Sequence, residues 1–292
     1  MEKQFLKVHL KYLFIIPTLV VLVLVILFPL LYTLYISFHE YILIRGIGKF
    51  VAFNNYVEEV FFEAKSLVSL KNTLVYTGSV VSLEFVGAFG LALLLNVRDL
   101  KFRNVYLIIL MIPVMITPVA VGLMWKLFLN PDLGIVNYFL GLFGVPKRGW
   151  FGDPELAMPT LIAVDVWHET SLILMILAAG LANLRREPFE AATVDGASSL
   201  QKFRFITVPL MSPVILVAIM IRMISALKTY DLVYICTRGG PGTKTETLSY
   251  YIYRTAFRKL DMGHASALAY LLLFLILILA LVLVKILGRE TT

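Results

Sequence analysis

Apolar side chains fall into six long runs along the chain, and polar and charged residues gather between them. A run of about 20 apolar residues is long enough to cross the hydrocarbon layer of a bilayer as a helix. The runs predict membrane spans near residues 12–38, 72–96, 105–129, 159–184, 209–230 and 264–287. Pro209 gives the fifth a defined start, whereas hydropathy fades gradually at the other ends. The expected fold is an all-α integral membrane protein with six transmembrane helices, residues 1–292 forming one membrane domain.

The connecting segments add detail. Glu40–Lys71 carries Tyr56, Val57, Val60 and Phe61 at helical spacing, which predicts a short amphipathic helix on the membrane surface. Pro131-Asp132-Leu133-Gly134 predicts a turn, and Trp150 with Phe151 suits the membrane interface. Pro113 and Pro118 interrupt the third span, since proline removes a backbone hydrogen bond and kinks a helix. Interrupted helices often frame transport paths.

Composition agrees with the pattern. The chain has 292 residues, 60% of them hydrophobic and 15% charged. Soluble domains run at about half apolar and about a quarter charged. The first apolar stretch is too long for a cleaved secretory signal, and no small-x-small site follows it. Lys3, Lys7 and Lys11 precede the first span, and Arg98, Lys101 and Arg103 follow the second. Arg185, Arg186, Lys202 and Arg204 follow the fourth, and Lys285 and Arg289 close the sixth. Cations in short flanking segments mark the cytoplasmic side, so both termini are expected there. These residues account for the net charge of +7, and no basic face with interleaved aromatics points to nucleic acid. Cys236 is the single cysteine, so neither an intrachain disulfide nor a cysteine metal cluster can form.

Residues 185–208 join the fourth and fifth spans and read as helix, tight turn, helix. Pro188 suits a first helical position, where its missing N–H loses nothing. Phe189 through Asp195 form about two turns, and Gly196 supplies the left-handed residue that ends them. Ser198 or Ser199 can cap a second short helix carrying Lys202 and Arg204.

This loop resembles the cytoplasmic coupling loop of binding-protein-dependent ABC importer permeases. The family signature is Glu-Ala-Ala, three residues, Gly, nine residues, Ile, one residue, Leu-Pro. Here Glu190-Ala191-Ala192, Gly196, Ile206, Val208 and Pro209 meet that spacing, with Val208 in place of Leu. Arg185-Arg186-Glu187-Pro188 stands where the family often has Ile-Pro. The resemblance continues through Asp231, Tyr234, Thr237, Gly239-Gly240-Pro241, Tyr251-Ile252-Tyr253 and Ala256-Phe257. These look like the carbohydrate branch, in particular its maltose- and glycerol-phosphate-type first permease subunit. Phe53-Asn54-Asn55-Tyr56 and Trp167 are similar too.

The resemblance implies a permease subunit of an ATP-driven sugar importer in the prokaryotic cell (inner) membrane, working by alternating access. Its partners would be a second homologous permease, two ATPase subunits and an extracytoplasmic sugar-binding protein, all within membrane lipid. The chain has no phosphate-binding loop, so ATP and Mg would bind the ATPase partners and no cofactor is expected on this chain. The coupling residues carried over are Glu190, Ala191, Ala192, Asp195 and Gly196. Glu190 would anchor the loop beside a basic residue, and the two alanines would sit close in a groove on an ATPase.

Polar residues at mid-depth are candidates for the substrate path, because a charge at the bilayer centre costs about 3 kcal/mol or more. Glu84 lies near the middle of the second span, and Glu169 and Arg222 lie at matching depth in the fourth and fifth. Arg222 can pair with either carboxylate or contact substrate. Trp167, His168, Thr170 and Ser171 surround them, and Ser225 and Thr229 follow Arg222 at helical spacing. Aromatic faces stack on sugar rings while hydroxyls bond their hydroxyls. The expected path residues are Trp167, Glu169, Thr170, Arg222, Ser225, Thr229 and Tyr230. Lys126 and Lys228, near outer span ends, would snorkel. No metal site is expected at His168, which has no second histidine at ligand spacing. Two other classes remain: an importer permease for a non-sugar solute, and an integral-membrane enzyme. The enzyme would need a nucleophile with a base, paired acids or a metal. His168 and Glu169 are sequence neighbours that a helix points in different directions, and no catalytic constellation is apparent.

Overall fold

The computed structural model describes residues 15–97 and 100–287. Lys3, Lys7, Lys11, Tyr12, Arg98 and Arg289, which entered the reading of spans and orientation, lie outside the described residues. Among the described residues, five helices are long and apolar enough to cross a membrane: Ile15–Ser37, Ala64–Leu95, Ala157–Ala182, Ser199–Cys236 and Met262–Ile286. The chain divides into two compact units, one of Met1–Ala64 with Ile252–Leu271, the other of Lys65–Tyr251 with Leu272–Thr292.

In the first unit, the apolar window of Ile15–Ser37 is entirely unburied within the chain, as suits a helix solvated by lipid. The segment after it holds the expected short helix and adds two strands ahead of it. An antiparallel hairpin, His39–Ile42 with Gly46–Phe50, precedes the short helix Asn54–Val57 and its wide-turn continuation Glu58–Phe62. Gly46, at a φ of 80°, supplies the positive angle the reversal requires. The Leu43 N–H donates to the Leu260 carbonyl at 2.8 Å, which stitches the strand to the approach of the last helix. Asn55 donates to the carbonyl of Ser37 at 2.8 Å, an acceptor that the first helix leaves free at its end, and to that of His39 in the strand at 3.0 Å. A Cβ at Gly263 would stand 2.5 Å from the His39 carbonyl, so glycine permits this close approach.

In the second unit, Ala88 and Ala92 of Ala64–Leu95, Leu177 of Ala157–Ala182, and Met211 and Ala218 of Val208–Leu227 lie in one buried cluster. Small residues let apolar helices approach closely where lipid gives no hydrophobic drive. A Cβ on Gly180 would meet Val214 Cγ1 at 2.8 Å.

The expected third span, 105–129, is two helices. Arg103–Met111 runs into a 3-10 turn at Pro113–Met115, Ile116 and Thr117 are extended, and Pro118–Phe128 resumes. Pro113 has no N–H to continue the ladder, and Pro118 favours an extended residue before it. Thr117 caps the new helix, its Oγ1 accepting from the Ala120 N–H at 3.4 Å.

Helix precedes Pro209, so the proline does not mark where helical structure begins. Helix runs from Ser199–Lys202 through a wide π turn, Phe203–Thr207, into Val208–Leu227. The π turn carries the Val208 N–H to the Phe203 carbonyl, one residue further back than an α turn, immediately ahead of the proline whose missing N–H disturbs that ladder.

Candidate functional site: a coupling surface and a membrane pocket

Local rules account for the 185–208 loop. Glu187–Val194 is helical with Pro188 in its first turn, and Gly196 at a φ of 75° follows. The Gly196 N–H donates to the Thr193 carbonyl at 3.1 Å and the Ala197 N–H to the Ala192 carbonyl at 2.8 Å, the paired bonds of a Schellman stop. Ser198 then opens Ser199–Lys202 with a capping box: its N–H donates to Gln201 Oε1 at 2.7 Å and its Oγ accepts from the Gln201 N–H at 3.3 Å. Lys202 Nζ donates to Thr193 Oγ1 at 2.8 Å and ties the two helices together. Glu190, Ala191, Asp195 and Gly196 are exposed and Ala192 half-buried.

Three residues the sequence reading did not single out complete this surface. Val194, Leu200 and Phe205 are 89%, 74% and 70% exposed, an apolar set on a polar loop. Beside it, Arg185, Arg186, Phe189 and Glu190 line a cleft of about 420 Å³.

The second site lies between helices. Arg222 is 1% exposed, Glu84 0%, Asp165 3% and Tyr76 0%. The Arg222 guanidinium donates through Nε and Nη2 to both oxygens of Glu84, and through Nη2 to Asp165 Oδ2 as well. Tyr76 donates its hydroxyl to the same Asp165 oxygen at 2.7 Å. Of the two pairings open to Arg222, the structure therefore selects Glu84 and adds Asp165, which sequence reading missed. The signal was present, because Asp165 stands three and four residues before His168 and Glu169 and so shares their helical face. Glu169 pairs instead with its neighbour, its Oε1 3.1 Å from His168 Nδ1, so the helix does not hold the two side chains apart as adjacency suggested.

Glu169, Arg222, Ser225, Thr229 and Tyr230 line one pocket of about 170 Å³, together with Pro118, Asp165, His168, Lys228, Asp231 and Leu232. Trp167 and Thr170 are not among its lining residues. Trp167 packs edge-to-face on Trp125, ring centroids 5.5 Å apart, and the Thr170 hydroxyl donates to the Val166 carbonyl of its own helix. Lys126 donates to the Ile235 carbonyl at 3.0 Å. Asp165, His168 and Glu169 bring possible ligand atoms within 4.8 Å of one another, yet hydrogen bonds already engage the bonded oxygens of both acids and both ring nitrogens. The chemistry of this pocket is that of an ion-pair network rimmed by hydroxyls.

Residues 83–291 match the family described as binding-protein-dependent transport system inner membrane component. The trehalose/maltose transport system permease of Thermococcus litoralis is 34% identical over 262 residues, 90% of this chain and 88% of its own. The sulfoquinovosyl glycerol transport system permease of Agrobacterium fabrum is 34% identical over 261 residues, covering 88% and 83%. A crystal structure of a bacterial ABC transporter involved in the import of the acidic polysaccharide alginate shares the fold, with a TM-score of 0.87 at 24% identity over 99% of both chains. A crystal structure of the alginate transporter with an alginate pentasaccharide-bound periplasmic protein gives 0.86 at 25% identity, covering 100% of this chain and 98% of that one.

Proposed function

Given that the chain belongs to the binding-protein-dependent transport system inner membrane components, we propose that it is the sugar-conducting permease of its importer and forms half of the path. It is an ABC importer permease, a transport component and not an enzyme. Sugar as cargo is supported by relatives named for trehalose, maltose and sulfoquinovosyl glycerol, and by a pocket offering hydroxyls and acceptors. A second homologous permease would supply the other half, and an extracytoplasmic sugar-binding protein would deliver cargo. ATP and Mg would act on two ATPase subunits. The chain would cross the membrane six times with both termini cytoplasmic, Arg103–Met111 and Pro118–Phe128 together making the third crossing.

The observation that carries the coupling role is the glycine-bent helix pair at 187–202, with Val194, Leu200 and Phe205 turned outward. The ATPases would close on ATP, displace this lever, and switch the cavity between inward- and outward-facing states. Gly196→Pro tests it, because proline holds φ near about −65° whereas this position stands at 75°. In the assembled importer, ATP-driven uptake should fall by about tenfold or more, the size of a lost coupling of one to three kcal/mol, while membrane insertion is unchanged. Unimpaired uptake would refute the lever. A ligand screen on the matching binding protein tests the cargo: firm binding of another solute, with failure of every carbohydrate, would overturn the sugar assignment.

A further inference from the structure

Both ring nitrogens of His168 face atoms that accept hydrogen bonds. Nε2 lies 2.9 Å from the Ile116 carbonyl oxygen, and Nδ1 lies 3.1 Å from Glu169 Oε1. A carbonyl and a carboxylate accept only, whereas a neutral imidazole carries one N–H. The pair as arranged therefore holds one proton more than a neutral ring beside an ionised carboxylate. His168 is 2% exposed, while Glu169 reaches the pocket that Pro118 also lines. The Ile116 carbonyl is available because the third span is broken there. The Ala120 N–H, which an unbroken helix would direct to Ile116, goes to Thr117 Oγ1.

We propose that His168 is a positioning residue for transport: with its extra proton it clasps the break in the third span and holds Glu169 at the pocket, so that the two move together. This rests on the importer-permease reading, with the pocket as part of the path. The pair is surrounded by charge. Asp165 stands on its own helix, Glu84 and the Tyr76 hydroxyl on Ala64–Leu95, and Arg222, Lys228 and Asp231 on the fifth-span segment. Written fully ionised, four carboxylates (Glu84, Asp165, Glu169, Asp231) already face Arg222, Lys228 and His168. Loss of the extra proton places a ring lone pair against a carboxylate and adds a negative charge to that set. The clasp is complete at low pH and is lost as pH rises. Glu169→Gln removes the requirement, since its amide N–H can donate to Nδ1 of a neutral ring while Nε2–H still serves Ile116.

The test uses the assembled importer in proteoliposomes, with ATP-driven uptake measured from about pH 6 to about pH 9 and each profile normalised to its own maximum. The wild type should decline toward the alkaline end, and Glu169→Gln should be flatter there. Nitrogen-15 NMR of the histidines in the purified complex, assigned with His168→Asn, should show both His168 ring nitrogens protonated near neutrality. Nδ1 should lose its proton in step with the wild-type decline. A ring bearing one proton throughout, or superimposable uptake profiles, overturns this proposal alone. No ATP-driven uptake by the wild type at any pH overturns the importer reading and the transport role with it.

Discussion

Arg222 shows how membrane burial sets the terms for a single side chain. Two carboxylates, Glu84 and Asp165, share one guanidinium in a site with almost no exposure, and the Tyr76 hydroxyl offsets part of the excess by donating to Asp165. Removing one member of such a network strands the others, which costs about 3–5 kcal/mol, whereas removing all the charges together is often neutral. Arg222→Met should therefore lower the melting temperature of the purified complex sharply, and adding Glu84→Gln with Asp165→Asn should recover most of it. A single variant that melts with the wild type would mean that water already reaches the acids. Depth along a helix is legible in sequence, which is why Glu84, Glu169 and Arg222 could be placed at compatible levels. Rotation about the helix is fixed by packing against other helices, so sequence left two partners open for Arg222 and passed over Asp165. The same limit applies to the packing of Trp167, whose ring meets Trp125 edge to face.

Helix ends closed by side-chain and glycine caps were legible, and the wide turn and the hairpin were not. Gly196 and Ser198 lie within a few residues of every group they bond, so the helix–turn–helix of the 185–208 loop followed from composition and order. The wide turn at Phe203–Thr207 leaves no such signature, and it let helix run past Pro209. The hairpin at 39–50 is local too, pairing His39 with Phe50 and Ile42 with Gly46, but the helical spacing from Tyr56 to Phe61 directed the reading of its segment to helix. The local character of the second coupling helix makes it separately testable. Ser198→Ala removes the Oγ acceptor for the Gln201 N–H and leaves the backbone N–H that donates to the Gln201 side chain, weakening the cap by about 1 kcal/mol, which corresponds to about fivefold faster amide exchange. Hydrogen exchange at Leu200–Lys202 in the purified complex should show that acceleration with the spans unaffected. Unchanged protection would mean that tertiary contacts, not the capping box, hold this helix.

At the scale of the whole chain, the proposed six-crossing topology turns on the broken third segment. Arg103–Met111 and Pro118–Phe128 have nine and eleven residues. At about 1.5 Å per residue each reaches roughly half of a hydrocarbon layer about 30 Å thick. Neither is long enough to cross alone, whereas their summed length is that of the layer, so the proposed six-crossing topology takes them as one span in two halves. The buried position of Cys236, at 5% exposure, leaves little background for introduced cysteines. Three single replacements then separate the topologies: Lys101→Cys before the broken segment, Leu133→Cys after it, and Val194→Cys on the coupling surface. Lys101 is exposed, and Leu133 and Val194 are 87% and 89% exposed, so each should react readily with a membrane-impermeant maleimide. With six crossings, Lys101→Cys and Val194→Cys react from the cytoplasmic face and Leu133→Cys only from the opposite one. Labelling of Leu133→Cys from the same face as Lys101→Cys would show that the two half-helices re-enter rather than cross. Addition of the ATPase subunits should protect Val194→Cys and leave the other two reactive, because the apolar side chain beside the glycine bend is then covered while the loops flanking the broken span are not.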